Sequence, residues 1–222
     1  HRDLHKEYRR QRQMCIRDRP TPIIAESDNA SIYESVRILN SGGLIAFPTD
    51  TVYGVGALFT NESAVKRLYD VKSRTLNKAI PILVGNVYDV WSLSKEVTSS
   101  AQKLANSFWP GPLSFVVRKS DKVPDIVAPG PTVALRSPNH FWLLELLSLV
   151  GPLAVSSANK SGESESISYT EVQASFGNKL DLIVSSTSVT PSLPSTVVDC
   201  SVDPPKIIRE GPISSTSIKT AM

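Results

Sequence analysis

The stretch "GGLIAFPTDTVYGVG", Gly42–Gly56, decides how this chain is read. Leu44 to Phe47 form a short apolar run behind a Gly-Gly stop, which is the pattern of a buried strand. Pro48 has no N–H to give to a ladder, so the chain leaves the sheet there. Thr49, Asp50, Thr51 and Tyr53 follow at once, placing hydroxyls and a carboxylate at the mouth of the strand. An ordinary polar turn accounts for them, and so does a site for a small polar ligand. On the second reading Thr51 presents a solvated hydroxyl to a cleft while Val52 and Val55 turn back to the core.

Working outward, the apolar segments alternate in kind. "NASIYESVRILNSGG" places Ile32, Val36 and Leu39 at helical spacing, and "TNESAVKRLYDVKSR" reads as a helix capped by Asn61. "AIPILVG", "LSFVVRK", "TVALRSP", "PLAVSS", "DLIVSS", "STVVDCS" and "KIIRE" read as strands. "SSAQKLANSFWPGP", "FWLLELLSLVG" and "YTEVQASFG" read as helices between them, the first ended by Pro110. Alternation followed by a strand-rich end predicts one α/β domain over 21–215, a twisted mixed sheet with flanking helices. Residues 216–222 are set apart as a C-terminal tail. "SSTSVTPSLPS" is expected to be a mobile loop.

Composition bounds the chemistry. The 222 residues are 41% hydrophobic and 20% charged, as in a soluble globular domain. No apolar run approaches the ~18 residues of a membrane span. The net charge of +3 is unevenly placed: residues 1–19 hold seven Lys/Arg against three Asp/Glu, and the other 203 hold 17 against 18. The body is therefore nearly neutral and offers no general attraction to nucleic acid. The tail, residues 1–20, has no secretory apolar region, looks like translated adaptor sequence, and is expected to be disordered. Two cysteines and three histidines, of which only His140 lies in the body, leave no disulfide framework, zinc site or easily assembled Ser-His-Asp triad. His140, just before an apolar helix, is read as a helix-start residue.

Neither a G-x-x-x-x-G-K-[ST] loop nor G-x-S-x-G is present, and "GVGALF" lacks the third glycine of a dinucleotide turn. What recurs is polar chemistry at the ends of apolar strands: Thr51, Arg136, Ser157, Ser195 and Arg209. An arginine at a strand end is costly to bury unpaired, so Arg136 needs either a carboxylate of the protein or an anionic ligand. "VKSR" puts Lys72 and Arg74 at a helix end, with Lys78 further on; a helix C-terminus by itself would attract such cations. Strand ends are where open α/β sheets bind ligands. Their convergence would give cations and hydroxyls without a nucleophile, suited to a nucleoside triphosphate and a small zwitterion.

"FPTDTVYGVGA", the Lys-x-Arg of "VKSR", "FWPGPLSFVV", "TVALRSP", "SSANKSG", "STVVD" and "IIREG", in this order, resemble the YrdC/Sua5 family of threonylcarbamoyl-AMP synthases over Ile23 to Pro212. The resemblance is to the short form of that family. It implies a cytoplasmic enzyme, a nucleotidyltransferase making threonylcarbamoyl-AMP and pyrophosphate from L-threonine, bicarbonate or CO2, and ATP with Mg2+. Partner proteins would then transfer the group to tRNA. It further implies that Thr51, Arg136, Ser157 and Ser195 hold threonine. Arg74, Lys78, Thr132, Asn159 and Arg209 would hold ATP, and Lys72 and Arg74 would be catalytic beside the reacting phosphate. The chain departs from the family at Ser73 and Thr75, where Gly and Pro are usual, at Leu83, where many members carry histidine, and in "SGESESIS". Two other readings of the same fold are a tRNA or double-stranded RNA-binding module and a carbamoyl-transfer domain of the hydrogenase-maturation type. Salt-dependent RNA binding by the body would favour the first, and accompanying acylphosphatase and zinc-finger parts the second.

Overall fold

The strands alternate their side chains between two apolar layers. In β2 (Ile45–Phe47) the buried Ile45 and Phe47 face one layer and Ala46 the other. β7 (Leu153–Ser157) and β8 (Leu182–Ser185) repeat the pattern with Leu153 and Val155 against Ala154, and Leu182 and Val184 against Ile183. A sheet buried on both faces needs helices on both. The computed structural model describes residues 20–160, 162–186 and 193–222. Tail residues 1–19 and positions 187–192 of the Ser/Thr/Pro-rich loop lie outside the described residues.

Among the described residues, ten strands make one mixed sheet in the order β1-β8-β2-β3-β7-β4-β6-β5-β9-β10. The others are β1 (Ile23–Ala25), β3 (Gly54–Leu58), β4 (Ile82–Leu83), β5 (Leu113–Arg118), β6 (Thr132–Arg136), β9 (Thr196–Asp199) and β10 (Lys206–Arg209). Helices α1 (Ala30–Asn40) and α5 (Phe141–Val150) cover one face with Ile38, Leu39, Leu143, Leu146 and Leu147. On the other face lie α2 (Glu62–Lys72), α3 (Val87–Leu93), α4 (Ser99–Phe108), α6 (Tyr169–Phe176) and α7 (Ser215–Ala221), which bury Leu68, Val90, Leu104, Phe176 and Ile218. The single α/β domain with a mixed sheet and flanking helices is thus the architecture found. Asn61 caps α2 as expected, its side chain accepting from the N–H of Ala64 at 3.1 Å. His140 stands immediately before α5.

Three elements differ from the sequence reading. Of the segment 216–222, set apart as a tail, residues 216–221 belong to α7, and Ile218 is fully buried. A seven-residue helix, α3, stands in a segment to which the sequence reading assigned no element. "GVGAL" is strand β3, paired antiparallel with β2 and β7. Its glycines make room for other side chains: a Cβ at Gly54 would come within 2.8 Å of Val155, and one at Gly56 within 3.1 Å of the Phe47 ring.

Candidate functional site

The α1/α5 layer stops short of the β6-β5-β9 part of the sheet. There the residues facing away from the core are half-buried: Thr132 and Ala134 on β6, Val116 on β5, Val197 and Asp199 on β9. The register places Ala134 beside Val116 and Val116 beside Asp199, so these positions form one floor. At the end of this floor lies a cavity of ≈ 210 Å³ whose walls include Thr51, Arg74, Arg136, Ser157, Ser195 and Arg209. The convergence of strand ends expected from the sequence is therefore present.

Arg136 is the best-held group. Its Nε donates to the carbonyl of Gly111 at 3.1 Å, Nη1 to Thr51 Oγ1 at 3.0 Å and Nη2 to Asp50 Oδ1 at 2.6 Å. Its side chain is 8% exposed and that of Asp50 12%. Burial lowers the Arg136 pKa from its ordinary value, opposed by Asp50. A guanidinium has five N–H groups, so two remain for a ligand. The sequence left open whether the arginine meets a carboxylate of the protein or a bound anion; Asp50 is the protein's carboxylate, and Arg136 also lines the cavity.

Thr51 corrects an expectation. Its hydroxyl is not a solvated turn group: the residue is 1% exposed, accepts from Arg136 and shares a 3.0 Å hydrogen bond with Thr49 Oγ1. Thr49 also donates to the carbonyl of Val52 at 2.7 Å. The hydroxyls of "PTDT" thus lock one another and the arginine, which leaves them pre-positioned rather than free. Val55 is buried in the core, as expected, whereas Val52, though buried, lines the cavity and belongs to neither apolar layer.

Arg74 and Arg209 differ from Arg136 in kind. Arg74 bonds the carbonyls of Lys78 at 3.2 Å and Ala79 at 2.8 Å. Arg209 bonds the carbonyl of Ser195 through Nε at 3.0 Å and Nη2 at 2.8 Å. Neither meets a carboxylate among the described residues, so both keep an uncompensated charge at the cavity. Burial lowers the Arg74 pKa as well. Ser195 Oγ is 2.9 Å from Ser114 Oγ, and Ser157 Oγ donates to Asn159 Oδ1 at 2.5 Å.

Lys72 ends α2 and is 2% exposed. Its Nζ donates to the carbonyls of Ser157 and of Asn159, the latter at 2.6 Å, so it clamps the "SSAN" turn from beneath and is not part of the cavity wall. Burial first, then the charge of Arg74, lowers its pKa to about 8, with Glu165 opposing. Lys78 is exposed and outside the wall. Thr132 shares the face of Arg136 but sits at the other end of β6, four residues away, or roughly 13 Å at the usual strand rise. The structure does not bring these two to the cavity itself.

Sequence reasoning missed Asp50 as the arginine's partner, Ser114, and Glu165, which also lines the cavity. Asp50 was visible in the opening motif, and its one-residue offset from Thr51 was the available signal. Leu83 does line the cavity, as an apolar wall. Ser73, where the resembled family has glycine, caps α2 in a left-handed conformation at φ 52°. His140 lines a separate surface groove with Glu26 and Trp142, so no Ser157–His140 pair forms.

Comparison with known proteins identifies the family and the fold. The Sua5/YciO/YrdC family model, described as "Telomere recombination", matches residues 37–211. A threonylcarbamoyl-AMP synthase of Pyrococcus abyssi is 38% identical over 175 residues, 78% of this chain and 52% of that protein. A putative threonylcarbamoyl-AMP synthase of Mycobacterium tuberculosis is 34% identical, over 87% of this chain and 89% of that protein. The crystal structure of P. abyssi Sua5 complexed with L-threonine superposes with a TM-score of 0.86 at 34% identity, covering 91% of this chain and 60% of that one. The chain thus spans about half the length of the Pyrococcus relative. With the model matched from α1 to just beyond β10, and every strand end that walls the cavity inside that span, the chain belongs to the Sua5/YciO/YrdC family.

Proposed function

We propose that the chain forms threonylcarbamoyl-AMP and pyrophosphate from L-threonine, bicarbonate or CO2, and ATP, as an L-threonylcarbamoyladenylate synthase working in the cytoplasm. One observation carries the reading. A single small cavity holds one arginine already neutralised by a carboxylate, Arg136, and two that are not, Arg74 and Arg209. The first suits a singly charged carboxylate received end-on, a geometry that lysine could not give. The other two suit the phosphates of a nucleotide. The names of the relatives and the threonine complex of one of them support the same assignment.

The chemistry follows from positioning. Arg136, kept in place by Thr51, holds the amino-acid carboxylate, with the hydroxyls of Ser157 and Ser195 beside it. The ammonium group gives up a proton to solvent, the free amine adds to CO2 with release of a second proton to give the carbamate, and a carbamate oxygen attacks the α-phosphorus in line as pyrophosphate leaves. Arg74 and Arg209 meet the charge developing on the phosphates. Lys72 acts from below, keeping Ser157 and Asn159 in register and contributing its charge. Lys78 and Thr132 would reach only a nucleotide extended beyond the cavity, along the open floor. Mg2+ bound to the ATP phosphates would offset part of their charge; among the described residues no three His, Cys, Asp or Glu side chains group to hold an ion. The mechanism asks for no covalent enzyme intermediate. Cys200 is buried, and burial and Asp199 raise its pKa to about 12. Transfer to tRNA falls to partner proteins. No helix among the described residues is long and apolar enough to cross a membrane.

The test is pyrophosphate release from Mg-ATP with L-threonine and bicarbonate each present or withheld. Release is expected only with both. Release that ignores threonine, or none with all components, overturns the reading.

A further inference from the structure

Glu165 is the one acidic side chain among the described residues that line the cavity. It stands in "SGESESIS", the loop that departs from the resembled pattern. The loop is tied down on both sides of it. Asn159 Nδ2 donates to the carbonyl of Glu163 at 2.6 Å. Ser166 Oγ donates to the carbonyl of Ala158, and the N–H of Tyr53 to the carbonyl of Ser166 at 3.0 Å. Glu165 is therefore carried to the cavity by a fixed scaffold, yet its carboxylate forms no hydrogen bond or ion pair with a described residue. Its field reaches Lys72, whose ammonium is already committed to two carbonyls and lies under the turn.

An unpaired carboxylate at the edge of a triphosphate site is unfavourable unless a cation joins it there. The cavity's arginines face the anions. The ligand of the proposed reaction that brings a positive charge on a small carbon frame is the amino acid. We infer that Glu165 receives the ammonium group of the amino-acid substrate, opposite the Arg136 that receives its carboxylate; this rests on the reading that an amino acid occupies the cavity. The substrate class is then an α-amino acid bound as a zwitterion, read at both charged ends, and Glu165 is a binding residue for the ammonium, whose nitrogen adds to CO2 only after giving up a proton to solvent.

The test measures binding by calorimetry, using L-threonine and (2S,3R)-2,3-dihydroxybutanoate, which replaces the ammonium by a hydroxyl, against the wild type and Glu165→Gln. A charge-assisted contact of ordinary strength predicts that the wild type prefers threonine by roughly tenfold or more. Glu165→Gln should bring the two ligands to within about twofold on the same scale and leave ATP binding unchanged. Because the readout is a ratio within each protein, a modest loss of stability does not imitate it. Discrimination that survives in Glu165→Gln, or is absent from the wild type, overturns the assignment of Glu165. If threonine binds with Glu165-dependent discrimination but no pyrophosphate is released, the inference stands and the adenylation reading falls. If the wild type binds neither ligand, both fall.

Discussion

Replacing Thr51 by valine deletes one hydroxyl and keeps the shape. In the structure that hydroxyl accepts from Arg136 Nη1 at 3.0 Å and pairs with Thr49 Oγ1 at 3.0 Å, at a residue 1% exposed. The valine leaves a charged N–H buried without an acceptor, and such an orphan costs about 1–3 kcal/mol. For a chain of this size 1 kcal/mol moves Tm by about 2–4 °C, so the variant should melt roughly 2–12 °C below the wild type by the same conversion. A solvated hydroxyl at Thr51, as the sequence alone reads it, would leave Tm almost unchanged. Function should fall with stability, because the freed Nη1 lets the guanidinium turn away from the carboxylate. A loss of the same 1–3 kcal/mol in the transition state lowers kcat/KM for threonine roughly 5- to 150-fold. The KM for ATP should hold, since Arg74 and Arg209 do not touch Thr51. Thr51→Ser keeps the oxygen and should recover most of both losses. Scanning calorimetry and pyrophosphate kinetics on the three proteins check this. An unchanged Tm in Thr51→Val would refute the buried hydrogen bond, and a rise in the KM for ATP equal to that for threonine would refute the division of the arginines.

The same structure sets four smaller tests. Ser73→Gly relieves a left-handed cap at φ 52° and should raise Tm by about 2–4 °C, the equivalent of about 1 kcal/mol; a lower Tm would show that the serine side chain is needed there. Lys72 titrates at about 8 in the fold against its ordinary 10.5, so between those values the unfolded chain binds more protons and this group's contribution to stability rises with pH. The Tm of the wild type minus that of Lys72→Met should accordingly rise from pH 7.5 to pH 10, and a constant or falling difference contradicts the shift. Cys200→Ser should leave native thiol labelling at pH 8 unchanged and remove one labelled thiol only after unfolding; a loss of native labelling would mean that the site opens. Arg209→Gln should raise the KM for ATP well above any change for threonine, and equal effects would count against a phosphate role.

The strands that pack as the sequence promised are those in which each face has its own apolar layer, as Ile45, Ala46 and Phe47 do. β3 was lost because its alternate positions are glycines, and a glycine that yields its space to Phe47 leaves no apolar mark in the string. α7 was lost because seven residues with one buried isoleucine are too few to show a period, and its place is fixed by a core assembled from distant segments. The site divides in the same way. That Arg136, at the end of an apolar strand, must meet negative charge follows from the cost of burying it alone. Which negative charge it meets does not follow, because Asp50 and a ligand carboxylate satisfy the same requirement and only the fold says which edge of the guanidinium each one takes. With Asp50 and Thr51 on two of its nitrogens and Gly111 on the third, the arginine is held still with two N–H groups to spare. An arginine waiting only for a ligand would have to be ordered by it, losing side-chain entropy on every binding event. The neutral pair avoids that loss and also removes a full charge from the wall. The cavity can then separate a carboxylate from a triphosphate by where charge is left uncompensated, at Arg74 and Arg209, a distinction that residue types alone, three arginines in a row of motifs, could not express.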